Sequence, residues 1–349
     1  MGEVAGLAPL RLRADLTDFD CRNNRLAQMG LEQDGFVDAV AVARKKYGAG
    51  RIGVFMGTST SGLLQTELAY RHRDPHTGAL PADFHYAATQ NTFSLGDFVQ
   101  RYLGLSGAAY VVSSACSSTA KVFGNAARMI AAGVCDAAIV GGVDTLCLTT
   151  LYGFNSLGLV SRTPCRPYDV NRDGISLGEG AGFALLEKPG ASTPDLMLLG
   201  IGESSDAHHM STPHPEGLGA KLAMQRALEA SGLQAQDIDY INLHGTASKS
   251  NDASEDQAVC EIFGTALPCS STKGWTGHLL GASGITEAII SMLAIENNFM
   301  PGSLHTQDID PALKSHYLLD NQSARVNRVL SNSFGFGGSN CSLIVGRST

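Results

Sequence analysis

Short apolar runs rich in β-branched residues, each closed by glycine or a polar turn, recur along the chain: Arg51-Ile-Gly-Val-Phe-Met-Gly57, Ala137-Ala-Ile-Val-Gly141, Ile238-Asp-Tyr-Ile-Asn-Leu243 and Val329-Leu-Ser331. Runs of this length without strict polar alternation suit strands buried on both faces. Between them, Val37 to Tyr47, Ala120 to Ala132, Gly219 to Ser231 and Thr286 to Glu296 carry helical spacing. Strands and helices therefore alternate, which predicts an α/β protein. Gly178-Glu-Gly-Ala-Gly182 leads into Phe183-Ala-Leu-Leu186, which reads as a further strand. A dinucleotide-binding loop has G-x-G-x-x-G spacing and opens a helix, so these glycines are read as close backbone packing instead. No linker, low-complexity tract or charge block divides the chain. Gly190-Ala-Ser-Thr-Pro194 is the best boundary, giving halves 1–190 and 191–349.

Composition narrows the picture. With 44% apolar residues in 349, the chain can bury a large core. Its formal charge of -8 gives no global basic surface for nucleic acid. Asp136, Gly141 and Asp144 interrupt the most apolar region, so no stretch approaches a membrane span. The eight cysteines form no C-x-x-C pair, and no charged segment followed by an apolar one opens the chain. Reduced thiols in a cytoplasmic protein are the expectation, without a zinc ribbon or a secreted disulfide framework. Gly at position 6, where a Ser or Thr would be needed, argues against myristoylation.

Candidate chemistry gathers on one thiol. Tyr110-Val-Val-Ser-Ser-Ala-Cys-Ser-Ser-Thr-Ala120 passes from strand-like residues through small ones into a helical stretch, placing Cys116 at a strand-to-helix turn. Free N–H groups at a helix N-terminus stabilise negative charge, so Cys116 is expected to be acidified there as a nucleophile. A lone cysteine is usually just a small buried apolar residue. Asn242-Leu-His-Gly-Thr246 and Ser271-Thr-Lys-Gly-Trp-Thr-Gly-His278 weigh against that reading.

Together with Arg166-Pro-Tyr-Asp169, Arg172-Asp-Gly174, Gly178-Glu-Gly-Ala-Gly182, Gly281-Ala-Ser-Gly284 and Ser331-Asn-Ser-Phe-Gly-Phe-Gly-Gly-Ser-Asn340, these segments run in order from about Arg22 to Val345. The set resembles the elongating β-ketoacyl-acyl-carrier-protein synthases, the condensing enzymes of fatty acid and polyketide synthesis. The resemblance implies a thiolase-like fold: two similar halves, each a mixed sheet, stacked in five αβαβα layers. It puts the nucleophile on the first half and both histidines on the second. Relatives have an opening strand and glycine-rich turn before the region matching Arg22. Met1 to Asp20 shows no convincing equivalent, so the first half is expected to be N-terminally shortened.

The resemblance also implies roles. Cys116 would accept an acyl group from a carrier-protein thioester. His244 and His278, as neutral imidazoles, would hydrogen-bond the malonyl thioester oxygen while carbon dioxide leaves, and the enolate would attack the acyl-Cys carbonyl. The backbone N–H groups of Cys116 and Phe336 would stabilise the resulting oxyanion, with glycines allowing the close approach. Lys273, paired with Glu255, would keep the imidazoles neutral and oriented. Thr246 and Ser248 match hydroxyls that bind the phosphopantetheine arm, with a local hydroxyl turn an equal alternative for Ser248. Phe336 resembles a gating ring. No metal and no cofactor of its own are implied, because phosphopantetheine arrives on the acyl carrier protein.

Cys with two histidines argues against initiating synthases, which pair Cys with His and Asn, and against thiolases, which use a second cysteine. Arg22-Asn-Asn-Arg25, Gly57-Thr-Ser-Thr-Ser-Gly62 and Phe84-His-Tyr86 look closer to synthases of aryl-polyene-type pathways. His208, His209 and His214 cluster without a completing Cys or Glu, and are read as surface or structural residues. Arg22, Arg25 and Arg166 fall where relatives face the carrier protein, with internal salt bridges the competing reading. Gly107 to Ser113 matches the strand by which family members dimerise, either as a homodimer or with a related subunit. A weakly catalytic chain-length-factor-like subunit is the alternative function.

Overall fold

Each of the four apolar runs becomes a strand in the computed structural model, which describes residues 1–190 and 196–347. The expected boundary residues Ala191 to Pro194 lie outside the described residues. The first sheet holds β1 (Ile52–Gly57), β2 (Ala109–Val112), β3 (Ala137–Asp144) and β4 (Gly180–Glu187), in the order β2-β1-β3-β4. The second holds β5 (Met197–Ser205), β6 (Tyr240–Asn242), β7 (Pro268–Ser270), β9 (His316–Tyr317), β11 (Arg328–Gly335) and β12 (Ser339–Gly346), in the order β5-β12-β11-β6-β7-β9. Strands β8 (Phe299–Met300) and β10 (Gln322–Ser323) form a separate ribbon.

Helices α1 (Arg22–Leu31), α2 (Phe36–Tyr47) and α5 (Phe93–Tyr102) cover the outer face of the first sheet. Helices α3 (Leu63–Arg71), α4 (Tyr86–Thr89) and α7 (Leu148–Ser156) lie in its connections. Helices α8 (Leu218–Ser231) and α9 (Lys249–Phe263) pack on the outer side of the second sheet, and α10 (Lys273–Thr276) is a single turn. Between the sheets run α6 (Ser118–Ala131) and α11 (Ser283–Asn297), which completes five layers. The sequences fit these places. Helix α2 buries only Val40 and Ala43 and ends in Arg44, Lys45 and Lys46, a favourable charge for a helix C-terminus. Helix α6, squeezed between two sheets, buries Ala120, Val122, Phe123, Ala126 and Ile130 on several faces.

A repetition that the sequence hides is explicit in the strand pairings. In both halves an antiparallel pair (β3 with β4, β11 with β12) adjoins two successive parallel pairings (β3-β1-β2, β11-β6-β7). The halves differ at one edge. Strand β5 covers the outer edge of β12, whereas among the described residues no strand covers that of β4. Residues Met1 to Asp20 supply a 3-10 turn, Ala14–Phe19, and insert Leu7, Leu12, Leu16 and Phe19 into the first core, but add no strand to the sheet. Strand β4 is accordingly only half-buried over most of its length, and a cavity of about 620 Å³ lies along Leu185 and Leu186.

The halves are joined by direct backbone approach. Thr119 in the first turn of α6 donates to Gly281 O at 2.5 Å and accepts from Ile285 N at 2.9 Å. Asp144, at the end of β3 and fully buried, accepts from Thr58 Oγ1, Ser59 N, Thr60 N and Thr60 Oγ1, and its second oxygen takes Ala282 N at 3.1 Å. Side chains are excluded at the contact. A Cβ on Gly284 would lie 2.6 Å from Ala120 N, and within the first half, where α6 lies on β1 and β3, one on Gly142 would lie 2.0 Å from Gly57 O and 2.4 Å from Thr119 Cγ2.

Gly142→Ala should therefore lower the urea midpoint by an amount equivalent to ~1–3 kcal/mol, because backbone must move to admit the methyl. Gly153→Ala in exposed helix α7, where an added Cβ meets nothing within 4 Å, should instead be neutral or stabilising by up to ~1 kcal/mol. Equal midpoints for the two variants would show that the close approach at Gly142 carries no cost.

Candidate active site

Strand β2 ends at Val112 and helix α6 begins at Ser118, leaving five residues for a sharp turn. The small hydroxyl residues hold it. Ser118 Oγ accepts from Ser114 N at 2.9 Å and donates to Ala115 O at 2.6 Å, while Ser117 Oγ donates to Ser114 O at 2.9 Å. Ala115 pays for the turn with a left-handed φ of 52°, sparsely populated for an alanine. Cys116 follows it, buried, with Sγ 2.9 Å from His278 Nε2. The helix terminus does not dominate the thiol as expected. Burial pushes Cys116 up to about 12, while the charge of Lys273 and the N–H groups of Phe336 and Cys116 itself pull the other way. Those two N–H groups both face the sulfur.

His278 sits on a tight turn after α10. Its N–H donates to Ser176 O at 2.7 Å and its carbonyl accepts from Gly178 N at 3.0 Å, so the first half grips its backbone. The glycine run before β4 serves this packing: a Cβ on Gly178 would lie 2.5 Å from Thr276 O. On the far side of the ring, His278 Nδ1 lies 3.1 Å from Ser283 Oγ. His244, in the loop after β6, stands edge-on to His278 with ring centroids 5.5 Å apart. Burial holds both imidazoles well below the usual histidine range, and the charge of Lys273 adds to it, so both are neutral near pH 7.

Lys273 is buried at the start of α10 with its nitrogen 2.5 Å from His244 O and 3.5 Å from His244 Nδ1. Its carboxylate partner is Glu287 in α11, rather than Glu255 as expected from the sequence. Glu255 has a different task. Its carboxylate accepts from His244 N and Gly245 N, each at 2.8 Å, and from Asn332 Nδ2 at 3.0 Å, bracing the His244 loop against β11. Burial pushes its carboxyl up to about 7 against these bonds. Glu287 was visible as the single acid within the apolar stretch Ile285 to Ile295 of α11. Thr119, Asp144 and Ser283 had no comparable signal, since short polar side chains in a glycine-rich chain read as turns.

The cavity in front of the sulfur is small, about 50 Å³, and is lined by Cys116, His244, His278, Phe154, Phe336 and Thr246. Such a space holds one or two waters. The half-buried Phe336 packs edge-on against Phe154 with centroids 5.2 Å apart, and is followed by Gly337 and Gly338 with φ of 83° and 75°. Thr246 Oγ1 and Ser248 Oγ also line the cavity wall, 3.0 Å apart, and Ser248 caps α9 by accepting from Asn251 N. The donor atoms of Cys116, His244 and His278 lie within 4.8 Å of one another, a spacing open to a soft metal ion, but the positive charge of Lys273 beside His244 opposes a cation there.

The arginines are engaged within the chain. Arg22 bonds Glu179 through Nε at 2.9 Å and Nη2 at 2.5 Å, and Arg25 pairs with Asp20 at 2.5 Å. Among the described residues the Arg166 guanidinium bonds only the Thr163 hydroxyl. His208 and His214 pair edge-on near the surface, 5.0 Å apart, and build no ligand set with His209.

Residues 22–190 match the family model described as beta-ketoacyl synthase, N-terminal domain, and residues 197–307 match beta-ketoacyl synthase, C-terminal domain. The chain is 40% identical over 264 residues to 3-oxoacyl-[acyl-carrier-protein] synthase 2 of Rhizobium meliloti (strain 1021), covering 70% of this chain and 62% of that protein. It is 38% identical over 261 residues to the mitochondrial 3-oxoacyl-[acyl-carrier-protein] synthase of Arabidopsis thaliana, covering 69% of this chain and 57% of that one. The chain thus spans under two thirds of the length of both. Among solved structures, one of a ketosynthase (ApeO) in complex with its chain length factor (ApeC) from Xenorhabdus doucetiae matches with a TM-score of 0.90 and 40% identity, covering 99% of this chain and 86% of that one.

A thiol held near 12 by burial is protonated at neutral pH, and its thiolate fraction grows as pH rises. Alkylation of Cys116 by iodoacetamide, followed by mass spectrometry, should accelerate about tenfold per pH unit from pH 6 to 9 without a plateau. Lys273→Met should slow it at every pH by removing the positive charge that favours the thiolate. A plateau below pH 8 would show that the helix terminus wins over burial.

Proposed function

The chain belongs to the β-ketoacyl synthase family, and from that premise we propose that it catalyses decarboxylative condensation of an acyl thioester with malonyl-acyl carrier protein, extending a fatty acid or polyketide-type chain by two carbons. The observation that carries the reading is the convergence of Cys116 Sγ, His244 and His278 within one buried site, with Lys273 behind the rings.

In the first half-reaction the Cys116 sulfur attacks the acyl carbonyl, and its proton leaves with the pantetheine thiol. The N–H groups of Cys116 and Phe336 stabilise the oxyanion that forms in between. Malonyl then replaces the first carrier. Its carboxylate leaves as carbon dioxide while the two imidazoles donate to the thioester oxygen, where the electrons of the broken C–C bond accumulate. The enolate carbon attacks the acyl carbonyl, and collapse of the adduct expels the Cys116 thiolate. Phe336, which lines the small cavity before the sulfur and is followed by Gly337 and Gly338, is the ring that swings aside in this reading to admit the acyl chain. In this reading the protein needs no cofactor, because the phosphopantetheine belongs to the carrier; the hydroxyls of Thr246 and Ser248 on the cavity wall support a role for them in binding that arm.

The carrier is an acidic partner docking near Arg22, Arg25 and Arg166, with the ion pairs of the first two leaving them to act mainly through shape and residual charge. Assembly is a dimer of like or related subunits, formed through the exposed edge of β2, where Ala109 to Val112 are all half-buried. Eight free cysteines fit a reducing cytoplasm, and among the described residues no helix is long and apolar enough to cross a membrane. A partner subunit of the chain-length-factor kind would have little use for a thiol 2.9 Å from an imidazole.

Incubating the purified protein with acyl- and malonyl-carrier protein should release carbon dioxide and yield a β-keto product. Cys116→Ala should abolish condensation while decarboxylation persists. His244→Ala should keep acylation of Cys116 but slow decarboxylation about a hundredfold or more, the cost of one lost oxyanion donor. Condensation surviving in Cys116→Ala would exclude this sulfur as the acyl carrier.

A further inference from the structure

Two protons decide whether the imidazoles donate or accept, and one hydroxyl places the first of them. Ser283 opens α11, five residues after His278, and is buried. Its Oγ lies 3.1 Å from His278 Nδ1 and 3.1 Å from Leu279 N, and these are its hydrogen-bond partners among the described residues. The Leu279 N–H can only donate, so it occupies one lone pair of the hydroxyl oxygen. If Nδ1 also donated, the oxygen would accept twice and its own O–H would be buried without an acceptor, a costly arrangement. If Nδ1 is bare, it accepts the Ser283 O–H, and every group is satisfied. The ring proton is then on Nε2, the nitrogen 2.9 Å from Cys116 Sγ.

We propose that Ser283 is a positioning residue that fixes His278 as the Nε2–H tautomer and so makes it a hydrogen-bond donor toward the reacting atoms. Its catalytic consequence rests on the condensation reading, whereas the tautomer does not. The other ring is set in the same sense by a different group. His244 Nδ1 faces Lys273 Nζ, which has protons only to give, so Nε2 carries the His244 proton. Both rings then direct an N–H at the oxygen on which charge develops, and neither neutral ring can act as a base toward Cys116 through Nε2. Ser283 is held in place through its neighbour, since Ala282 N is bound to Asp144.

The test uses the full chain labelled with ¹⁵N-histidine, the His278 signals being assigned by their loss in His278→Gln. Nitrogen shifts, kcat and KM for decarboxylation of a malonyl-pantetheine thioester, and the thermal midpoint are measured for the native protein, Ser283→Ala and Ser283→Thr. The native protein should show Nε2–H. Ser283→Ala should move His278 toward Nδ1–H and lower kcat about tenfold or more, the scale for losing a hydrogen bond that orients a functional histidine, with KM within about twofold. Ser283→Thr should restore both. Nδ1–H in the native protein overturns the proposal, as does Ser283→Ala with an unmoved tautomer, whatever its kcat. A moved tautomer with unchanged kcat also overturns it. A native protein that is Nε2–H yet decarboxylates nothing sinks the condensation reading instead and leaves the tautomer assignment standing.

Discussion

Contact between the N-terminal turns of α6 and α11 is the constraint on which the site depends. Cys116 precedes one helix and His278 the other, so the distance between sulfur and imidazole is set by how closely these two ends can meet. Thr119 and Asp144 bind across the junction with side-chain oxygens to backbone groups, which fixes register as well as distance. Glycine at 142, 281 and 284 removes the atoms that would keep the layers apart. A buried carboxylate with five hydrogen bonds is an expensive device. It is tolerable here because the donors come from a loop of the first half and from the turn that introduces α11, so satisfying Asp144 and closing the site are one event.

Electrostatics inside this closed volume follow from burial. Removing water disfavours charge on every group, and thiol and imidazoles respond in the direction that keeps them neutral. Lys273 lies among them, bound to Glu287 and to the carbonyl of His244. Its charge then acts on both rings in the same sense as burial, which reserves them as neutral donors, and on Cys116 in the opposite sense. One cation thus biases three groups without touching substrate.

Much of this was legible in the sequence. The apolar runs gave β1, β3, β6 and part of β11, and the Cys, His, Lys and His signatures named the side chains that meet. Strand β11 was cut short because its later residues, Asn332 and Ser333, are polar yet buried; Asn332 bonds Glu255 and Ser342 rather than water. Glu255 was paired with Lys273 on the family resemblance, but its carboxylate is taken up by two backbone N–H groups of the His244 loop and by Asn332. Glu287, one turn into α11, meets the lysine instead. Pairings of that sort depend on how helices pack, which spacing along a single chain does not encode. The duplication was likewise invisible, because equivalent strands in the two halves share topology without sharing residues.

The unequal outer edges of the two sheets give the molecule a weaker side. Strand β12 is sealed by β5 and buried along seven of its eight residues, whereas among the described residues no strand pairs with the outer edge of β4. Fraying therefore costs least in the half that carries the sulfur. Local opening on that side, ahead of global melting, is the expected route by which the site is lost.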